Sequence, residues 1–223
     1  MAPSLGYWKI RGLLQPTRLM MEYAGMEYKE KFYTPETANE WFAKDKSALG
    51  LDFPNLPYYT DGDFKLTESR AIHRYVAGKC SLQGSTPEIQ AHMDMVIGVL
   101  YDLKTLMARI VYNKDVDWPS TGKQQVIEGS KHFLDELSKY LGTKHFFGGN
   151  SPLTADFVAF DFIHAFCYID KSLVAQNLIE FIKRFMELPK IKQYMASDKF
   201  IAWPINGFIA TFGGTGAEPK FTL

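Results

Sequence analysis

The sequence predicts a small α/β unit over residues 1–83 followed by a larger all-α unit over residues 84–223. Three observations carry that reading. Short strand-like runs and helical runs alternate through the first third of the chain. A turn-rich segment, Leu82-Gln83-Gly84-Ser85-Thr86-Pro87, then breaks the pattern. Beyond it, apolar residues recur at three- and four-residue steps, the helical period, and no alternating run is found.

Leu5 to Ile10 reads as a strand that Gly12 ends. Pro16 suits the first turn of a helix, where its missing N–H costs nothing. Leu19, Met20 and Tyr23 give that helix an apolar stripe, and Gly25 stops it. Tyr28 to Tyr33 alternates like a half-buried strand. A poorly patterned stretch holding Trp41, Lys44 and Lys46 follows. Phe53 to Tyr59 and Phe64 to Thr67 flank Asp61-Gly62-Asp63, a hairpin signal. Ser69 is expected to cap a helix that runs through Val76 and ends at Gly78. In the second unit, Thr86 is the expected N-cap and Pro87 the first residue of a long helix. Its apolar seam is Met93, Val96, Leu100, Leu103, Met107 and Ile110. Further helices are expected at about 122–141, 155–170, 175–188 and 190–196, separated by Gly142, the 148–152 turn and Pro189.

Composition excludes several functions. Lys and Arg total 25, as do Asp and Glu, so the chain offers no basic footprint for nucleic acid or for a membrane surface. Cys80 and Cys167 are the only cysteines, which excludes a disulfide scaffold and suits a reducing compartment. The five histidines form no H-E-x-x-H pair, and no residues show metal-ligand spacing. The opening residues lack the long apolar core of a signal peptide, and no apolar run approaches the ~20 residues of a membrane span. A cytoplasmic protein is expected.

A set of motifs adds to this reading: Leu-Gly-Tyr-Trp at 5–8, Gln-Pro-Thr-Arg-Leu at 15–19, and Leu-Gly-Leu-Asp-Phe-Pro-Asn-Leu-Pro-Tyr at 49–58. Leu-Thr-Glu-Ser-Arg-Ala-Ile at 66–72, Ile-Ala-Trp-Pro at 201–204 and Ala-Thr-Phe-Gly-Gly at 210–214 complete it. In that order the set resembles the cytosolic glutathione transferases of the mu class, closest to the flatworm enzymes. The resemblance implies a thioredoxin-like domain joined to a helical domain, which agrees with the patterns above. It also implies a homodimer and conjugation of glutathione, a co-substrate, to hydrophobic electrophiles, without a metal or redox cofactor.

The resemblance gives roles to residues that are ambiguous alone. Tyr7 by itself reads equally as an aromatic packed at a strand end. Its phenol can also donate to a sulfur and favour thiolate over thiol, and the family assigns it that role. Glutathione carries two carboxylates, an ammonium and a thiol, so Ser69 at a helix start offers N–H groups to a carboxylate. The resemblance places a cis Leu56-Pro57 bond where the Leu56 backbone meets the cysteinyl unit. It sets Trp8, Trp41, Lys46 and Asn55 at the glycine end, with Leu13 beside Tyr7. Asp102 would reach the partner subunit's glutathione amine. Tyr112 would face the electrophile, with Leu13, Met107 and Phe208 as apolar walls. Phe53 would anchor the dimer.

Three features depart from the family. Glu68 stands where mu enzymes usually have Gln, and its carboxylate can accept from the ligand's ammonium. The chain between Tyr33 and Trp41 is several residues short. The usual Ser/Thr-x-x-Asp helix start reads Leu153 to Asp156 here, with Thr154 one step out of register. A non-catalytic carrier of ligandin type and a glutathione-dependent isomerase are the alternative functions for such a chain.

Overall fold

The computed structural model describes residues 2–221 and 223. Strands β1 (Ser4–Trp8), β2 (Lys29–Tyr33), β3 (Tyr58–Asp61) and β4 (Phe64–Thr67) form one sheet in the order β2-β1-β3-β4. β1 runs parallel to β2 across helix α1 (Gln15–Ala24), while β3 and β4 pair antiparallel through the expected Asp61-Gly62-Asp63 turn. Gly25 takes φ +70° and ends α1 as anticipated. β3 starts at Tyr58, five residues later than the sequence suggested, because Pro54 and Pro57 have no N–H for a ladder. The poorly patterned stretch is a π-helical turn, Glu40–Asp45, running into the single helical turn α2 (Lys46–Ala48). Helix α3 (Ser69–Lys79) continues through Gly78 by one residue.

Long helix α4 (Pro87–Val111) starts as predicted, with Thr86 Oγ1 accepting from the Ile89 N–H at 3.3 Å. Its buried face holds Met93, Val96, Leu100, Leu103 and Met107, with Val111 buried more deeply than Ile110. After a π-helical turn at Trp118–Gly122 come α5 (Lys123–Leu141), α6 (Thr154–Asp170), α7 (Gln176–Met186) and α8 (Pro189–Met195). Among the described residues, this half carries no named strand, only an isolated bridge between Phe146 and Gly149. α6 is buried nearly throughout and packs against α1, α4, α5 and α7. Its start explains the departure noted at Leu153. Asp156 accepts N–H bonds from Phe147 (2.6 Å), Gly148 (3.0 Å) and Leu153 (2.9 Å), so the carboxylate holds the turn without a hydroxyl partner. Thr154 instead sends its hydroxyl to the Leu82 carbonyl at 2.9 Å, tying α6 to the linker.

The loop between β1 and α1 is held by two buried arginines. Arg11 reaches Asp161 of α6 with Nε at 2.9 Å and Nη2 at 2.6 Å. Arg18 of α1 donates to the Ile10 carbonyl at 2.8 Å and to Glu30 of β2 at 2.7 Å. The loop backbone also meets the C-terminal segment, since Arg11 N–H donates to Pro204 O at 2.8 Å. A buried ion pair is costly to break on one side only, because the remaining charge stays desolvated. Asp161→Ala should therefore lower unfolding stability by about 3–5 kcal/mol. Replacing both partners, Arg11→Met with Asp161→Leu, should cost far less; equal midpoints for the two proteins in urea would contradict this.

Candidate active site

Tyr7, the next-to-last residue of β1, lines the cavity where the β1–α1 loop meets α4. Gly12, at φ +50°, lets the loop pass this ring: a Cβ there would lie 2.6 Å from Tyr7 Cε1 and 2.8 Å from its oxygen. The Tyr7 oxygen accepts the Leu13 N–H at 3.2 Å, which leaves the phenolic hydrogen to donate into the cavity. Burial pushes the Tyr7 phenol up to about 12, so the group is neutral throughout the physiological range. The cavity measures about 220 Å³, and Leu13, Lys104, Thr105, Ala108 and Tyr112 line it with Tyr7. Tyr112 is fixed by the Gly207 N–H, which donates to its hydroxyl; a Cβ on Gly207 would crowd that oxygen at 2.9 Å.

Two expected walls lie elsewhere. Met107 is fully buried on the core side of α4, and its neighbours Lys104, Thr105 and Ala108 face the cavity instead. Phe208 borders a separate groove of about 720 Å³ with Trp203 and Pro204, edge-on to Trp8 at 6.5 Å between ring centres. A helical face shifted by about 100° per residue separates adjacent positions, so residue type alone could not place Met107.

Ser69 begins α3 but does not cap it. The N-cap is Glu68, held at φ +68° without a side-chain bond to the helix. That left-handed conformation is unusual for a residue with a Cβ and marks a constrained, exposed turn. The Ser69 hydroxyl lies 2.8 Å from the Tyr101 hydroxyl on α4. A chain of buried polar groups continues from there. Tyr101 O–H is 3.4 Å from His73 Nδ1, and His73 Nε2 is 3.0 Å from the Leu13 carbonyl. A carbonyl can only accept, so Nε2 carries the hydrogen and Nδ1 accepts from Tyr101. The chain thus joins the start of α3 to the residue whose N–H holds Tyr7.

The remaining candidates are distributed as follows. Leu56-Pro57 is cis, as expected, and so is Trp203-Pro204. The Leu56 N–H is not vacant: Asn55 Oδ1 accepts it at 2.9 Å. Trp41 is only 3 % exposed and packs with Tyr33 and Tyr58 in a separate aromatic cluster, so most of its surface serves the core. Trp8 is half-buried against Tyr33, Phe42 and Phe208. Lys46 is exposed and, among the described residues, has no ion pair. Asp102 is also exposed and likewise has no partner among them, so its carboxylate points away from the seam of α4 and needs no internal cation. Phe53 projects into solvent, 76 % exposed. A groove of about 430 Å³ opens on the α3–α4 face between Arg70, Arg74, Met93, Asp94 and Ile97.

Two polar groups of the site escaped the sequence reading, though each interrupts an apolar face. Lys104 follows Leu100 by four positions and precedes Met107 by three, on the buried stripe of α4. His73 follows Ser69 by four and precedes Val76 by three on α3. Among the described residues, no three His, Cys, Asp or Glu side chains cluster as metal ligands.

The chain matches the family models for the glutathione S-transferase N-terminal domain over residues 3–78 and C-terminal domain over residues 101–198. It belongs to the glutathione S-transferase family. Similar relatives include the class-mu 26 kDa isozyme of Schistosoma mansoni, 40% identical over 99% of this chain and 100% of that protein. The class-mu 26 kDa isozyme 51 of Fasciola hepatica is 42% identical over 98% of this chain and 100% of that protein. In three dimensions, the glutathione S-transferase Blo t 8 superposes with a TM-score of 0.83 at 27% identity, covering 94% of this chain and 99% of that one. As a transferase, the protein thus carries the mu-class motifs together with a buried His73–Tyr101 link.

That link has a pH signature. Burial pushes the His73 imidazole down to about 4 from its ordinary 6.5. The unfolded chain therefore binds a proton that the folded one refuses, and stability falls as pH drops from about 6.5 towards 4, by up to roughly 3 kcal/mol. His73→Leu should remove this part of the slope. Thermal unfolding of both proteins at pH 7 and 4.5 reads it as a smaller midpoint drop in the variant; parallel drops would contradict the assignment.

Proposed function

We propose that the protein conjugates the glutathione thiolate to hydrophobic electrophiles, a detoxifying activity of the cytoplasm, with Tyr7 stabilising the thiolate. The observation that carries this reading is the state of the Tyr7 hydroxyl. It is neutral, it already accepts from the Leu13 N–H, and its own hydrogen remains to be donated into the cavity of about 220 Å³ beside it. A thiol has a pKa near 8.5, and each unit of depression requires about 1.4 kcal/mol of preference for the thiolate. One charged hydrogen bond supplies about that much. Holding both substrates side by side adds the advantage of proximity, so no metal or redox group is called for.

In this reading residues 1–83 bind glutathione and residues 84–223 contribute the electrophile site. The first α3 amides and Ser69 receive the γ-glutamyl carboxylate, and Glu68 receives the ammonium. Leu56, next to Pro57, pairs its backbone with the cysteinyl unit, which displaces the Asn55 side chain from the Leu56 N–H. Trp8, Trp41, Lys46 and Asn55 surround the glycyl end, and the unpartnered ammonium of Lys46 suits its carboxylate. Leu13 and Tyr112 border both the sulfur and the electrophile. The protein acts as a homodimer with Phe53 as anchor, its exposed ring and the α3–α4 groove being the features that support this. Exposed Asp102 then serves the neighbouring subunit's glutathione amine.

Tyr7→Phe removes a hydroxyl and little else. It should retain glutathione binding while losing most conjugation of a chromogenic aryl halide, with the surviving activity shifted to higher pH. Unchanged turnover from pH 6 to 8 would remove Tyr7 from the mechanism. Asp102→Asn keeps shape and removes charge. Calorimetry should show glutathione affinity weakened by about 1–3 kcal/mol, the worth of a charged hydrogen bond, at an unaltered melting temperature. Equal affinities would return Asp102 to the status of a solvated surface carboxylate.

A further inference from the structure

Lys104 presents a buried charge without a counter-charge of its own. It is 8 % exposed, and its Nζ contacts the Asn206 side-chain oxygen at 3.2 Å and the face of Phe162 at 5.5 Å. The carboxylate that bears on it, Asp161, is held by Arg11 through Nε and Nη2. An ammonium has three donors and no acceptor, so an amide oxygen and an aromatic face leave it incompletely satisfied. Desolvation pushes Lys104 down to about 8, so at neutral pH the charge persists but is poorly compensated. Around it stand Tyr7, Tyr101 and Tyr112, all raised by burial and neutral, with Arg11 and Asp161 paired behind it. Asp161 favours the charged form from there, but among the described residues no carboxylate pairs with Lys104 directly.

Lys104 and Asn206 line the same cavity as Tyr7 and Tyr112. We infer that Lys104 anchors an anionic substituent of the electrophile, so that this transferase favours small aromatic electrophiles bearing a carboxylate. This rests on the transferase reading above and deepens it by naming the substrate class. A volume of about 220 Å³ is small beside ordinary drug sites and suits a single substituted ring. A carboxylate would take the Lys104 ammonium as its charged donor; the Asn206 side chain holds the ammonium in place through its oxygen while its nitrogen donates to the Phe212 carbonyl at 3.0 Å. Bound so, the ring is fixed at one end while the thiolate attacks the carbon carrying the leaving group. The carbon–sulfur bond forms, the carbon–chlorine bond breaks with its electron pair, and chloride departs.

The test uses two probes of equal shape, 4-chloro-3-nitrobenzoate and 4-chloro-3-nitrobenzamide, each with glutathione. They differ in intrinsic reactivity, so the reading is the change in their kcat/KM ratio between proteins. Lys104→Gln should lower the benzoate-to-benzamide ratio about tenfold, the effect of losing one charged hydrogen bond. Lys104→Arg, which keeps the charge, should lose much less. In the wild-type protein the same ratio should fall as pH is raised through about 8. Should Lys104→Gln fail to fold, calorimetry on the wild type decides without turnover: benzoate should bind more tightly than benzamide at pH 6.5, and the gap should close at pH 9. A ratio unmoved by Lys104→Gln, or equal binding of the two probes in the absence of glutathione, overturns the assignment. Turnover of neither probe beside normal conjugation of a neutral chromogenic aryl halide would overturn the proposed substrate class, whereas no conjugation of any aryl halide would overturn the transferase reading.

Discussion

The geometry of the site depends on the buried pair between Arg11 and Asp161. Arg11 lies in the loop that follows β1, and Asp161 lies in the middle of the most buried helix. The pair therefore fixes the sheet unit against the helical unit at the point where the cavity opens. Arg18 completes the clamp from the other side by holding the Ile10 carbonyl and Glu30 together. Two guanidiniums suit this task because each offers several donors in a rigid plane, so one side chain ties carboxylate and backbone at once. Such pairs add little net stability compared with apolar packing, yet they leave few alternative arrangements of the loop.

From that fixed loop a second layer of constraint runs outward. The Leu13 amide faces Tyr7 and its carbonyl faces His73, so a single peptide unit is held from both directions. His73 leans on Tyr101, and Tyr101 on Ser69. The start of α3, where an anionic ligand group would sit, and the phenol of Tyr7 thus share one hydrogen-bonded path through an otherwise apolar core. A ligand that recruits the Ser69 hydroxyl must rearrange this path, since a hydroxyl has one hydrogen to give. On the proposed reading, binding at the start of α3 and alignment of the Tyr7 hydroxyl are linked through this hydrogen-bonded path.

Sequence periodicity revealed most of the architecture, because both halves bury one face of each element and that face must repeat. The hairpin at Asp61–Asp63, the Thr86-Pro87 helix start and the seam of α4 were all readable for this reason. What stayed hidden depends on contacts distant in sequence. Asp156 replaces a missing cap with three amides, two of them from the preceding turn, which no local pattern encodes. Ser69 looked like a cap, but its hydroxyl is drawn to Tyr101 thirty-two positions away. Met107 and Lys104 share the buried stripe of α4, and periodicity alone does not say which of the two borders the cavity. The π-helical turn at Glu40–Asp45 had no repeating stripe to betray it. Tyr7 was legible as a candidate through its motif, whereas its hydrogen bond and its burial were not.

Burial acts on the cavity's groups in opposite directions, and the balance suits the chemistry. Low polarity disfavours every charged form, so it raises the phenol of Tyr7 and lowers the ammonium of Lys104. A bound thiolate would suffer the same penalty unless donors met it. A neutral phenol does so without introducing a counter-charge that could itself be titrated near neutrality, and its oxygen is already polarised by the Leu13 amide. The lysine sits on the opposite condition, retaining charge at neutral pH only narrowly, so its stabilisation grows most when a ligand anion enters. Dryness therefore makes Tyr7 a constant donor and Lys104 a conditional one. On the proposed reading, Tyr7 activates the sulfur whatever the electrophile, and the choice of electrophile falls to the separate charge of Lys104.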